Sequence, residues 1–147
     1  MKKVFIGFLL FFSSYVISAP YSYEEVLKRH EELKPIAQQV VVLSEALVSK
    51  MDQAMVEYYE GNIELWRALN KDANSLKERA VILGDHFTEP YSYCFILSLS
   101  TDSYWLAKKS ADTMPFFAQN YQQSLSDCKA SIREKPMDNS DLAIIEF

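Results

Sequence analysis

Residues 63–84, IELWRALNKDANSLKERAVILG, carry an apolar side chain at every third or fourth position. The apolar positions follow a 3-4-3-4-3 spacing and are Trp66, Leu69, Ala73, Leu76, Ala80 and Leu83. This is the spacing of a heptad seam along one face of an α-helix, and Gly84 is placed to end the helix. The stretch therefore predicts a helix that packs lengthwise against another helix.

The segment before it also has apolar residues at every third or fourth position. Its apolar positions are Ile36, Val40, Leu43, Leu47, Met51, Ala54 and Tyr58, with 4-3-4-4-3-4 spacing. Gly61 can end this helix and Asn62 can cap the next one. Because so short a connection reverses the chain and places the two helices side by side, they are expected to be antiparallel.

A helix start is predicted further upstream, at Tyr23. Ser22 and Glu25 have the spacing of a capping box, in which the hydroxyl accepts a backbone N–H of the first turn and the carboxylate accepts the N–H of the capping residue. Pro35 then interrupts the pattern. A proline either kinks a long helix or opens a new one, and both alternatives remain open here.

Two further helices are predicted after Gly84. Thr88 can cap a helix whose first turn includes Pro90, although Phe95, Leu97 and Leu99 also alternate as in a strand. Helix is favoured because of the helical spacing of Leu97, Thr101, Tyr104 and Lys108. After a break at residues 111–115, the last helix carries Phe117, Tyr121, Leu125, Cys128 and Ile132 on one face, and Pro136 ends it.

Glycine and proline are too scarce, at three and five residues, for an all-β protein built on tight turns. The predicted fold is all-α: a single-domain antiparallel bundle of about five helices spanning residues 20–135. Cys94 and Cys128 each lie 17 residues from Ala111, at the predicted turn between the last two helices. Residues equidistant from the turn come level in an antiparallel hairpin, so we predict a disulfide bond there.

The two ends of the chain have other compositions. Lys2 and Lys3 precede an apolar run and a small-residue stretch, which predicts a secretory signal peptide at residues 1–19. An uncleaved anchor is the alternative. Residues 136–147 are expected to be a flexible tail whose apolar end, LAIIEF, packs back or binds a partner. The expected location is the bacterial periplasm, or the outside of the cell as a secreted protein.

No catalytic, cofactor or metal site is predicted. Glycine poverty excludes phosphate-binding loops and nucleophile elbows, and the cysteines and histidines lack zinc-ligand spacing. A loop containing Asp85, His86 and Glu89 could supply a general base, but it is more typical of solvated surface groups. The net charge of −5 disfavours nucleic acid as a partner, and no stable membrane insertion is expected once the leader is removed.

Aromatic residues are the one excess. Neighbouring residues in a helix point about 100° apart, so one member of each adjacent aromatic pair is expected to be partly exposed. Two tyrosines also belong to the second PYSY tetrapeptide, at residues 90–93, at a predicted helix start. The candidate partner-binding residues are Tyr59, Tyr91, Tyr93, Trp105 and Phe116.

These observations favour a small exported helical protein that binds another protein, as an inhibitor or a toxin-neutralising immunity-type protein of the cell envelope does. The acidic balance favours a basic partner. One alternative is a structural subunit or assembly factor of an envelope or secretion machine that docks through its tail. A second is a helical hydrolase or ligand carrier.

Overall fold

The computed structural model describes residues 22–84 and 89–136. Across these residues the chain is helical and contains no strand. The helices are α1 (Tyr23–Tyr59), α2 (Glu64–Ala80), α3 (Ser92–Ala107) and α4 (Met114–Arg133), and a single 3₁₀ turn, Val81–Leu83, extends α2. The all-α prediction is confirmed, but the described chain has four α-helices rather than about five. The predicted Thr88 cap, the leader and nearly all of the tail lie outside the described residues.

The number of helices is lower than predicted because the chain does not break at Pro35. This proline lies inside the 37-residue helix α1. Its side chain is exposed, so the ring does not meet the core. Buried residues follow one another on both sides of it, including Leu33 and Ala37. A proline inside a helix costs about 3 kcal/mol, and this continuous packing offsets that cost. The sequence alone left two alternatives at Pro35, a kinked long helix or the start of a new one. Packing on both sides of the proline keeps a single continuous helix.

The helix ends follow local signals. At Ser22 both bonds of the predicted capping box form, and Glu25 Oε2 accepts from the Ser22 N–H at 2.8 Å. Gly61 and Gly84 take positive φ values of 91° and 89°, which a side chain would strain. The N-cap of α2 is Ile63 rather than the predicted Asn62, but Asn62 Oδ1 still accepts the Glu64 N–H at 3.2 Å.

The core runs between all four helices. α3 packs against α1, α2 and α4, whereas α4 packs against α3 and α1. The largest buried side chains include Met51 of α1, Leu69 and Leu76 of α2, and Leu97 of α3. α1 likewise packs against the three other helices, so α1 and α3 are the two central helices of the bundle.

The prediction that the two cysteines lie side by side across the last helical hairpin is confirmed. Cys94 on α3 and Cys128 on α4 are both fully buried, and their sulfurs lie at disulfide distance, 2.03 Å apart. The pair holds the two helices together far from their connection at residues 108–113. None of the helices in the described ranges is long and apolar enough to cross a bilayer.

Candidate functional site

The five predicted partner-binding residues divide by burial. Tyr59, Phe116 and Tyr93 are exposed, by 73%, 62% and 52% of their surface. Tyr91 and Trp105 are buried, with 0% and 2% exposed. These two were wrongly placed on the surface, because α1 covers Tyr91 and α2 covers Trp105.

The reason is local in each case. Tyr91 precedes the first turn of α3 and stacks on His30 of α1, with ring centroids 4.7 Å apart. Trp105 points between α2 and α3, where its indole N–H donates to Asn70 Oδ1 at 3.0 Å. In the adjacent pair it is Tyr104, rather than Trp105, that is partly exposed.

Aromatic rings concentrate at one end of the bundle, where α1 and α3 end and α2 and α4 begin. We call this the aromatic end. Its rings form a chain from Tyr59 to Tyr58, to Trp66 and to Trp105, with successive centroids 5.6, 5.7 and 6.4 Å apart. The Lys109 ammonium lies over two of these rings, 4.6 Å from Tyr58 and 4.2 Å from Trp66. Cation–π contacts therefore join the α3–α4 connection to α1 and α2.

A second cation stabilises the same end. Lys108 Nζ donates to Asp52 Oδ1 at 2.6 Å and lies 4.7 Å from the Tyr104 ring. Burial lowers the pKa of Lys108, but hydrogen bonds to Asp52 and Tyr104 outweigh burial and leave this pKa above its usual range. Tyr104 in turn stacks on Tyr121 of α4, at 5.8 Å. Lys108 thus joins the end of α3 to α1, and the two stacked tyrosine rings join α3 to α4.

Large apolar side chains are exposed at the aromatic end. They are Val56 and Tyr59 of α1, Leu106 of α3 and Phe116 of α4, each more than half exposed. Phe116 also meets Phe117 edge to face, with centroids 5.3 Å apart. The aromatic end therefore presents several apolar groups to solvent, as protein interfaces do.

A surface groove, the α1–α2 groove, lies between the first two helices. It has a volume of about 340 Å³ and lies open to solvent between the two helices. It is lined by Gln39, Leu43, Ala46, Leu47 and Lys50 of α1 and by Leu69, Asp72, Ser75, Leu76 and Arg79 of α2. Ala46 and Ser75 leave the gap, since their short side chains cannot fill it.

The loop proposed to supply a base is only partly described. Asp85 and His86 lie outside the described residues. Glu89 bonds Arg29, whose Nε donates to Glu89 Oε2. Within residues 22–84 and 89–136 no three His, Cys, Asp or Glu side chains are grouped as metal ligands would be.

Comparison with known proteins gives no assignment. No protein-family model matches the chain, and neither a curated protein nor a solved structure matches it.

Proposed function

We propose that this protein acts by binding another protein, and that the exposed apolar side chains of the aromatic end anchor the partner. The observation that carries the proposal is the exposure of Tyr59 and Phe116 at an end whose other rings are packed and held by two lysines. Exposed aromatic side chains on a rigid support are typical hot spots, because little conformational entropy is lost when they are covered.

The partner class follows from charge. The chain has a formal net charge of −5, which favours association with a basic protein. Inhibitors and toxin-neutralising immunity proteins act in this way, by covering a partner's surface. The proposed role of this protein is that of such an inhibitor or immunity-type protein of the cell envelope.

The proposed location is outside the cytoplasm. Two independent features support it: the leader-like pattern of residues 2–19, and a pair of buried cysteines at disulfide distance. Disulfides persist in oxidising compartments and are rare in the cytosol. Mass measurement of the protein recovered from the cell tests this directly, since export predicts loss of about the first 19 residues and of two thiol hydrogens. A full-length chain with free thiols contradicts it.

The binding role is tested by affinity capture from the native extract at moderate salt, with quantification of each retained protein. The double variant Tyr59→Ala, Phe116→Ala removes both anchors and is expected to lower retention of the true partner at least about tenfold. The matched control is Val81→Ala, Ile82→Ala. These residues are about as exposed but lie at the opposite end of α2. A partner retained equally by both variants contradicts the proposed anchors, and an extract from which the wild-type protein retains nothing contradicts the binding role.

A further inference from the structure

The α1–α2 pair has two faces, and within the described chain only one of them is covered. α3 packs against both α1 and α2. On α1, Ser44 Oγ accepts from Thr101 of α3 at 3.2 Å, whereas Ala46 lines the α1–α2 groove. Two positions along a helix point to roughly opposite sides, so the groove lies on the face away from α3. The pair thus accepts one helix and leaves a second helix-facing groove open.

The groove has the spacing that receives another helix. Its α1 row follows a 4-3-4 pattern and its α2 row a 3-4-3 pattern; the rows are Gln39, Leu43, Ala46 and Lys50, and Leu69, Asp72, Leu76 and Arg79. Such heptad-spaced rows flank the holes into which side chains of a further helix fit. Each row is about 16 Å long, or three helical turns.

The groove offers apolar surface along α1. Val42, beside it, is 63% exposed, Leu43 is partly buried and Ala46 is exposed. The floor, formed by Leu69 and Leu76, already belongs to the core. An occupant would therefore gain mainly by covering Val42, Leu43 and Ala46, which requires an apolar stripe on its own surface.

The charges at the two ends of the groove differ. At one end Arg79 donates to Gln39 Oε1, at 3.4 Å, and this neutral amide oxygen does not neutralise its charge. At the other end Lys50 and Asp72 provide one charge of each sign. The Arg79 end is thus a local positive site on an acidic chain.

We propose that the α1–α2 groove binds an amphipathic helix of a partner protein, with the apolar stripe of that helix over Val42, Leu43 and Ala46 and an acidic side chain at Arg79. The inference rests on the proposed function for the class of partner, but it concerns a surface separate from the aromatic end. The two can therefore fail independently.

The chain's own tail is a poorer occupant because of distance. Pro136, where the described chain ends, accepts a hydrogen bond from Tyr23 at the start of α1, at 3.2 Å. The near end of the groove, at Gln39, lies about 24 Å further along α1. Residues 137–142 span at most about 22 Å and would have to be fully extended to reach the groove, so only about five residues remain; as a helix they would cover about 7 Å of its 16 Å.

The test uses a fluorescent stapled peptide of about three helical turns, with leucines on one face and a glutamate at the end that meets Arg79. Its control peptide has lysine in place of that glutamate. Anisotropy is measured with the whole protein, and the glutamate peptide should bind at least about fivefold more tightly than the lysine peptide. Arg79→Glu should reverse this preference. Lys71→Glu, the same charge change on α2 outside the groove, should leave it within about twofold.

A steric variant tests the location. Ser75→Trp fills the groove and should weaken binding about tenfold or more, whereas Asn74→Trp, on the exposed side of α2, should not. Equal binding of both peptides, no effect of Arg79→Glu or Ser75→Trp, or no binding tighter than about 1 mM overturns the inference. So does tighter binding after deletion of residues 137–147, which would assign the groove to the tail. A dimer that Ser75→Trp dissociates would assign it to a second copy. None of these results affects capture through Tyr59 and Phe116.

Discussion

Reduction of the Cys94–Cys128 pair should destabilise the protein without changing its helical fold. The two cysteines are 34 residues apart. In the chain-entropy model, opening a loop of this length costs roughly 3–4 kcal/mol, because the unfolded chain gains freedom. Domains of this size are stable by only about 5–15 kcal/mol, so the loss is a large share of the total. We expect a correspondingly lower urea midpoint and a higher m-value, since the reduced unfolded chain is more expanded.

The assay is urea unfolding followed by far-ultraviolet circular dichroism, with and without a thiol reductant. Reduction keeps both sulfur atoms and leaves no cavity, so it separates loss of the cross-link from loss of packing. The double variant Cys94→Ala, Cys128→Ala should lose more than the reduced protein, because both side chains are fully buried. If reduction changes the free energy of unfolding by less than about 1 kcal/mol, the cross-link does not constrain the unfolded chain as argued.

Three further outcomes are expected, each measured by urea unfolding. Asn70→Ala removes the acceptor of the Trp105 indole N–H, at 3.0 Å, and should cost about 1–3 kcal/mol. Tyr91→Phe removes a buried hydroxyl with no hydrogen-bond partner in the described chain and should cost nothing; a loss above about 1 kcal/mol would reveal a partner for it. Burial, with nearby carboxylates, raises the pKa of Tyr91 and Tyr121 from 10.0 to about 12. Since the unfolded tyrosines lose their protons first, stability should fall from about pH 10 to about pH 12, less steeply in Tyr121→Phe.

Helix positions could be read from the sequence where local chemistry sets them. The Ser22–Glu25 capping box and Gly61 act within a few residues of themselves, so their patterns predict the start and end of α1. Pro35 could not be resolved in the same way. Whether a helix continues through a proline depends on packing on both sides of it, and that packing comes from other helices.

The interior of α3 was harder to predict for a physical reason. Its apolar residues are distributed around the helix, since Leu97 is buried whereas Leu99 and Leu106 are exposed, so they do not follow one helical face. The result is the strand-like alternation of Phe95, Leu97 and Leu99. Trp105 is buried because it packs against α2, where it donates to Asn70, whereas its neighbour Leu106 is exposed.

The candidate site depended still more on contacts between distant residues. Nothing in the sequence links Lys109 to Tyr58 and Trp66, because cation–π contacts join residues far apart in the chain. The α1–α2 groove is similar. Ala46 and Ser75 are unremarkable in their own helices, and only their opposition across the helix pair creates a gap.

The cross-link and the aromatic end together determine how firmly Phe116 is presented. The α3–α4 hairpin is closed at one end by the connection at residues 108–113, which Lys108 and Lys109 hold against α1 and α2. It is closed again at the other end by Cys94 and Cys128. A side chain held in place before binding loses less entropy when it is covered, so this double closure should strengthen binding through Phe116. Reduction of the disulfide should therefore speed dissociation of a partner that uses the aromatic end, even under conditions where the protein stays folded. Unchanged dissociation would mean that the stacked rings and the two lysines hold Phe116 without help from the cross-link.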